Sequence, residues 1–363
     1  MMPQIARDFA AVAGGVLVIV TAASMIGTVI TPRPATARVS RVMDRLVDLV
    51  FQVLTLRVKD FVRRDRILAG QAPILLLSQL MAWLVAFFVG FSLILWPAVT
   101  GGITTAFSTT GDALWAFGNA PENGAAQRVI LDVTALTGLV AVALQISYLP
   151  ALYAAFNRRA TEVALLHARA GVPAWGPELL ARTHYGLGTG STLHTLPVLY
   201  NDWERWSADI METHTTYPPL VRIRAPLPYV SWVTALLAVL DSAALMLSLS
   251  PSEAPTIPAR MCLRSGFQTL QEIASTMGFI GSPSGGMVNL TYEEFLAAVK
   301  LMRDVNFPIE RRPEDAWPDF VGWRINYEQA AYAIARAIDA PPALWSGPRR
   351  FKSDPVPPFR PSL

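Results

Sequence analysis

Residues 72–99 read APILLLSQLMAWLVAFFVGFSLILWPAV, twenty-eight residues without a charge. A helix needs about 20 apolar residues to cross a hydrocarbon layer roughly 30 Å thick, so this stretch is long enough to span a membrane. Upstream, 9–31 (FAAVAGGVLVIVTAASMIGTVIT) is equally free of charge, and downstream 129–150 forms a third run. Asp132 lies near one end of that third run and Gln145 near the other, where both side chains reach an interface. The fold expected is all-α, with an integral membrane region of about three transmembrane helices over 1–157 and a helical domain beyond it.

Composition agrees. Of 363 residues 52% are hydrophobic and 16% charged, with a mean hydropathy of +0.37, where a soluble domain carries about a quarter charged residues. The single cysteine, Cys262, excludes an intramolecular disulfide framework. His167, His184, His194 and His214 contain no i, i+4 pair and have no cysteine partner, so no metal site and no cofactor is expected. The net charge of +3 comes from arginines clustered beside apolar runs, which points to membrane topology rather than nucleic acid.

Those arginines set an orientation. Residues 32–71 hold nine basic side chains against four acidic ones, whereas 100–127 contain Asp112 and Glu122 and no lysine or arginine. Positive charge is retained on the cytoplasmic side. The first loop is therefore expected inside and the second outside, and everything after Arg158 and Arg159 inside. A cleaved signal peptide is the disfavoured reading of 9–31, because the run is too long and its positive charge lies on the wrong side. Within the first loop, 39–61 places Val39, Val42, Met43, Leu46, Leu49, Val50, Val53 and Leu54 at helical spacing. This amphipathic helix is expected either on the inner leaflet or against the cytoplasmic domain.

The run 229–249 (YVSWVTALLAVLDSAALMLSL) is also long enough to span, but Asp241 falls just past its centre and prolines flank it. A mid-helix aspartate costs about 2.5–3.5 kcal/mol on insertion. A core helix of the soluble domain is the favoured reading, with a fourth span as the alternative.

Between the second and third runs, 101–120 (GGITTAFSTTGDALWAFGNA) is too short and polar to cross and rich in small and hydroxylated residues. Such a segment re-enters a membrane only where protein or water satisfies its backbone; a plain outer loop with a short interfacial helix is the alternative. The order of parts resembles the pore-loop, potassium-channel-like superfamily: outer helix, pore helix, filter strand, inner helix. The resemblance implies a pore helix at Thr104–Trp115 and a filter at Ala116-Phe117-Gly118-Asn119-Ala120, with only Gly118 matching the potassium-channel filter, so potassium selectivity is not implied. Pore or filter candidates are Thr110, Asp112, Ala116, Phe117, Gly118, Asn119 and Asp132, the carboxylates acting to attract an inorganic cation. Over most of 40–340 the chain also resembles bacterial membrane proteins labelled ion-channel-like, through Ile146-Ser147-Tyr148-Leu149-Pro150, His214-Thr215-Thr216-Tyr217-Pro218, Ser231-Trp232-Val233-Thr234-Ala235 and Val239-Leu240-Asp241. The resemblance implies a homo-oligomer, a tetramer if a pore forms, in the bacterial inner membrane.

Residues 158–340 alternate charged and apolar positions at helical period. Thr161–Ala170 is expected to open a helix that Gly171-Val172-Pro173 stops, and Thr291 with Glu294 has capping-box spacing. Residues 319–339 read as one helix ended by Pro341-Pro342, and the proline-rich 341–363 as a disordered tail. The glycine-rich 186–191 lacks the lysine of a phosphate loop and reads as a turn. Trp203, Trp206 and Ile210 share one helix face. A carboxylate near His214 offers an acid/base pair, but no nucleophile or oxyanion hole accompanies it, so an enzyme is not expected. The expected function is a channel-like pore with a cytoplasmic regulatory domain; the alternative is a membrane-anchored helical scaffold.

Overall fold

The computed structural model describes residues 2–29, 38–115, 124–184, 191–279, 288–351 and 353–359. These residues are all-helical: no strand occurs among them, and Ala343 and Val356 form one isolated parallel bridge. The chain divides into two units, 1–54 with 70–153, and 55–69 with 154–363. Residues 55–69 thus belong with the later residues, and the first unit ends at Tyr153.

The first unit contains α1 (Met2–Val29), α2 (Arg38–Thr55), α4 (Gln71–Leu95), α5 (Ile103–Leu114) and the start of α6 (Ala125–Ala170); α3 (Phe61–Leu68) lies in the second unit. Helices α1 and α4 meet through glycine. A Cβ on Gly14 would stand 2.5 Å from the Gly90 carbonyl oxygen, and one on Gly90 would stand 2.7 Å from a Val18 methyl. Small residues permit this close approach of two apolar helices. Met25, Trp83, Leu84, Phe87, Phe91 and Ala141 are buried together beside it. Helix α2 ends at Thr55, shorter than the sequence pattern, and leaves Val42, Leu46, Leu49, Val50 and Val53 exposed along one stripe. Asp48 on α2 accepts a 2.7 Å hydrogen bond from Gln71.

The second unit is built around α9 (Trp232–Leu249), of which every residue but Leu247 is buried. It is wrapped by α7 (Gly176–His184), α8 (Leu196–Thr216), α10 (Thr256–Thr276), α12 (Pro313–Arg324) and α13 (Glu328–Ala337). Backbone close approach at two glycines makes this possible: Gly176 seats against Asp241, and Gly266 against Leu240. Helix α11 (Tyr292–Asp304) starts with the expected capping box, Glu294 N–H donating to Thr291 Oγ1 at 3.2 Å and Thr291 N–H to Glu294 at 2.8 Å. On α8 the rings of Trp203 and Trp206 lie 4.4 Å apart, both buried with Ile210.

Three expectations change. Thr161–Ala170 opens no new helix; it is the last part of α6, which runs 46 residues from Ala125 and does stop at Gly171, whose φ is +75°. Residues 319–339 are two helices, because the chain turns between Arg324 and Glu328 so that both side chains and Tyr327 face inward. The described part of the proline-rich tail is packed rather than disordered. Trp345 is buried against Trp175 (5.6 Å) and Phe320 (5.7 Å), and Arg349 donates to the carbonyl oxygens of Ala340, Pro341, Ser346 and Gly347. Prolines bar a ladder but leave carbonyls free as acceptors. Likewise α3, capped by Asp60 accepting from Arg63 N–H at 2.8 Å, is tied to the second unit: buried Arg64 pairs with Asp339, and Asp65 with Arg224.

Among the described residues four helical segments are long and apolar enough to cross a membrane: Gln4–Val29, Phe61–Ala98, Ala125–Ala170 and Trp232–Leu249. They differ in what surrounds them. Protein buries 22%, 44% and 28% of the most apolar window in the first three, and 94% in the fourth.

Candidate functional site

Helix α5 is the candidate pore helix of the sequence, found at Ile103–Leu114. It begins after Gly102, whose φ of +85° makes the turn that reverses the chain after Val99. Its buried face is Ala106, Thr109, Thr110 and Leu114. Ala106 packs with Leu95 and Val99 of the preceding segment and Leu131 of α6. The next residue, Phe107, meets Phe88 edge-on, centroids 5.3 Å apart, and Gly111, one turn further on, faces the same ring. At the C-terminal end the Leu114 carbonyl oxygen would lie 2.6 Å from a Cβ on Gly138.

These contacts fix a direction. From Leu95 to Phe88, and from Leu131 to Gly138, is seven residues each, about 10 Å at 1.5 Å per residue. The C-terminal end of α5 therefore lies about 10 Å further along α6 than its start, at Gly138 rather than Leu131, while its middle packs on Phe88 of α4.

Thr104, Thr105 and Ser108 are exposed on the other side of α5, with Asp112 half-buried beside them and Trp115 exposed. Of the sequence candidates, Asp112 is on this polar face. Thr110 is not: it is fully buried, its hydroxyl without a hydrogen-bond partner among the described residues. Asp132 is exposed on α6, and neither aspartate makes an ion pair among the described residues. Ala116, Phe117, Gly118 and Asn119 lie outside the described residues. The sequence does not single out the hydroxyls of Thr104, Thr105 and Ser108, because their spacing alone does not say which face the neighbours cover.

The polar groups of the second unit are internal. Arg324, fully buried, donates to Asp241, to Glu328 (2.6 Å), to the Tyr332 hydroxyl (3.0 Å) and to the Trp345 carbonyl (2.6 Å); Tyr327 donates to Asp241 at 2.8 Å. Burial alone disfavours the Arg324 cation, but the Asp241 carboxylate, with Tyr332, Tyr327 and Glu328, holds it well above its ordinary value. Among the described residues His214 pairs with no carboxylate. Its Nε2 accepts from Arg159 at 3.0 Å and its Nδ1 lies 3.1 Å from Thr213. Burial, then the Arg159 charge, hold its pKa well below 6.5, so it is a neutral imidazole in the core. Asp209, the nearby carboxylate, pairs with Arg158 at 2.9 Å instead. No group of three His, Cys, Asp or Glu that can hold a metal occurs among the described residues, and burial pushes the Cys262 thiol up.

The chain matches no family model, no curated protein and no solved structure. Its functional reading therefore rests on its own residues, and α5 is where they converge.

Proposed function

We propose that this chain is a channel-like integral membrane protein that assembles as a homo-oligomer around the polar face of α5. α1, α4 and the 129–150 part of α6 are its spans, since their apolar surfaces are largely uncovered by protein, and lipid is the solvent that suits them. α9 is a core helix of a cytoplasmic domain, since protein already surrounds it. The charge asymmetry of the loops supports a cytoplasmic 32–71 and a cytoplasmic second unit, on the inner side of a bacterial inner membrane. The exposed apolar stripe of α2 suits the inner leaflet.

The observation that carries the reading is the packing of α5 between α4 and α6 with three hydroxyl side chains exposed and Asp112 half-buried beside them. At bilayer depth such groups require water or a neighbouring subunit, and a ring of subunits around a water-filled axis supplies both. Four copies is the simplest assembly, as in the pore-loop superfamily that this order of parts resembles. Asp112 then attracts an inorganic cation near the pore.

The test is ion flux into liposomes carrying the purified protein, with cross-linking to count subunits. Cation flux is expected, reduced several-fold by Asp112→Asn and abolished by Ser108→Phe. A monomeric protein, or liposomes no leakier than empty ones, would overturn the proposal and leave the tethered-scaffold reading.

A further inference from the structure

The second unit contains a cavity of about 490 Å³, within the roughly 300–1,000 Å³ of small-molecule sites. Its walls are the 156–167 stretch of α6, the 221–232 segment leading into α9, and 338–341. Val163, Val221, Ile223, Leu227, Val230 and Trp232 make the lining mostly apolar.

The charges on this wall have one sign. Arg159, Arg222 and Arg224 line the cavity, and no aspartate or glutamate does. Arg224 is paired with Asp65. Arg159 differs: only 3% exposed, it donates to the Leu220 and Ile223 carbonyls at 2.7 Å each and to neutral His214, and no carboxylate pairs with it among the described residues. Buried charges are ordinarily paired. On the same wall α9 begins just after Ser231, whose side chain makes no capping hydrogen bond, so the N-terminal end of an 18-residue helix, a site that favours anions, borders the cavity.

We infer that this cavity binds a single-chain amphiphile, its apolar tail among the aliphatic walls and its one anionic head beside Arg159 and the start of α9. Size selects one chain: at the roughly 30 Å³ that a water-sized heavy atom occupies in a liquid, the cavity holds about sixteen heavy atoms, the size of a medium-length fatty acid. A two-chain phospholipid has several times as many. The inference stands independently of the channel proposal.

The probe is radiolabelled laurate, equilibrated with the full-length protein in amphipol so that no detergent competes. Saturable binding of one laurate per chain is expected, with dodecanol, which has the same tail and no charge, competing at least tenfold more weakly. Arg159→Gln should weaken binding, but it also removes core hydrogen bonds. Ala164→Phe is therefore the deciding variant, because Ala164 lines the cavity at an exposed position and a phenyl ring there fills the mouth without unmaking a bond; at least a tenfold loss is expected with an unchanged circular dichroism spectrum. Dodecyl phosphate separates the two sources of an anionic head: its competing as well as laurate identifies a lipid phosphate, its failing to compete a free fatty acid. No saturable binding, equal binding by Ala164→Phe, or equal competition by dodecanol would each overturn the inference.

Discussion

Replacing Arg324 with methionine removes the one cation from a buried cluster of two carboxylates. In the wild type its guanidinium satisfies Asp241, Glu328, Tyr332 and the Trp345 carbonyl at once. Both carboxylates are almost wholly buried, at 1% side-chain exposure each. Methionine fills much of the volume but leaves those carboxylates without a partner charge, and breaking a buried pair in this way costs about 3–5 kcal/mol. For a domain of some two hundred residues each kcal/mol lowers the melting temperature by about 2–4 °C, so the loss expected is roughly 6–20 °C. The assay is thermal unfolding of the full-length protein, followed by near-ultraviolet circular dichroism; buried Trp345 and its neighbour Trp175 sit next to the cluster. A second variant makes the attribution specific. Asp241→Asn in the Arg324→Met background should cost at least about 1 kcal/mol less than it does in the wild type, because it then removes a stranded charge rather than a pair. A melting temperature within about 2 °C of the wild type, or strictly additive losses, would refute the reasoning.

Three further outcomes follow from particular contacts. Gly14→Leu should force α1 and α4 apart, since its Cβ already meets a backbone oxygen at 2.5 Å, whereas Gly15→Leu, with open space around it, should leave the melting temperature unchanged; equal behaviour of the two would contradict the crossing. His214 is neutral in the fold, with a pKa held well below the 6.5 of the unfolded chain. Its contribution to stability is therefore fully present above pH 6.5 and is lost as pH falls below it, by up to about 1.4 kcal/mol per pH unit. Unfolding at a series of pH values should reveal uptake of a proton in that window, and a flat profile would remove the neutral-histidine assignment. Thr291→Ala deletes the hydroxyl of the capping box and should cost about 1 kcal/mol, while Thr291→Ser, which keeps the acceptor, should cost much less in the same thermal assay.

How much of this is legible in the sequence depends on whether the signal is local. The uncharged runs, the capping box at Thr291 and Glu294, the tryptophan face of α8 and the stop at Gly171 are all written in spacing, and each is found. The continuity of α6 is hidden because Pro150 and Arg158-Arg159 punctuate a helix that tolerates both. The order in the tail is hidden because it depends on a distant partner: Trp345 needs Trp175 and Phe320, and Arg349 needs carbonyls that only a folded turn presents. In the candidate site, the helix itself is legible. Its working face is not, since Thr105 and Thr110 are chemically identical and only Leu95, Phe88, Leu131 and Gly138 decide which of them is covered.

What covers α9 separates it from the other apolar helices. Hydropathy counts how much a segment avoids water and is silent on whether lipid or protein takes the place of water. Asp241 supplies the distinction, because a carboxylate at the middle of an apolar helix is costly in lipid and is tolerated in a core only where a cation meets it. Arg324 reaches it from α12 and Tyr327 from the turn that follows, so the interruption that sequence periodicity smooths into one helix is what brings the partners to Asp241. Losing Asp241 to leucine would therefore act twice, stranding Arg324 in the core and favouring insertion of α9 by about 3–4 kcal/mol on the insertion scale. Labelling of single cysteines placed between 250 and 279, in a Cys262→Ser background on intact cells, should find the wild-type positions protected and the Asp241→Leu positions newly exposed to an impermeant reagent. Wild-type positions already exposed would make α9 a fourth span and remove the cytoplasmic domain from the proposal.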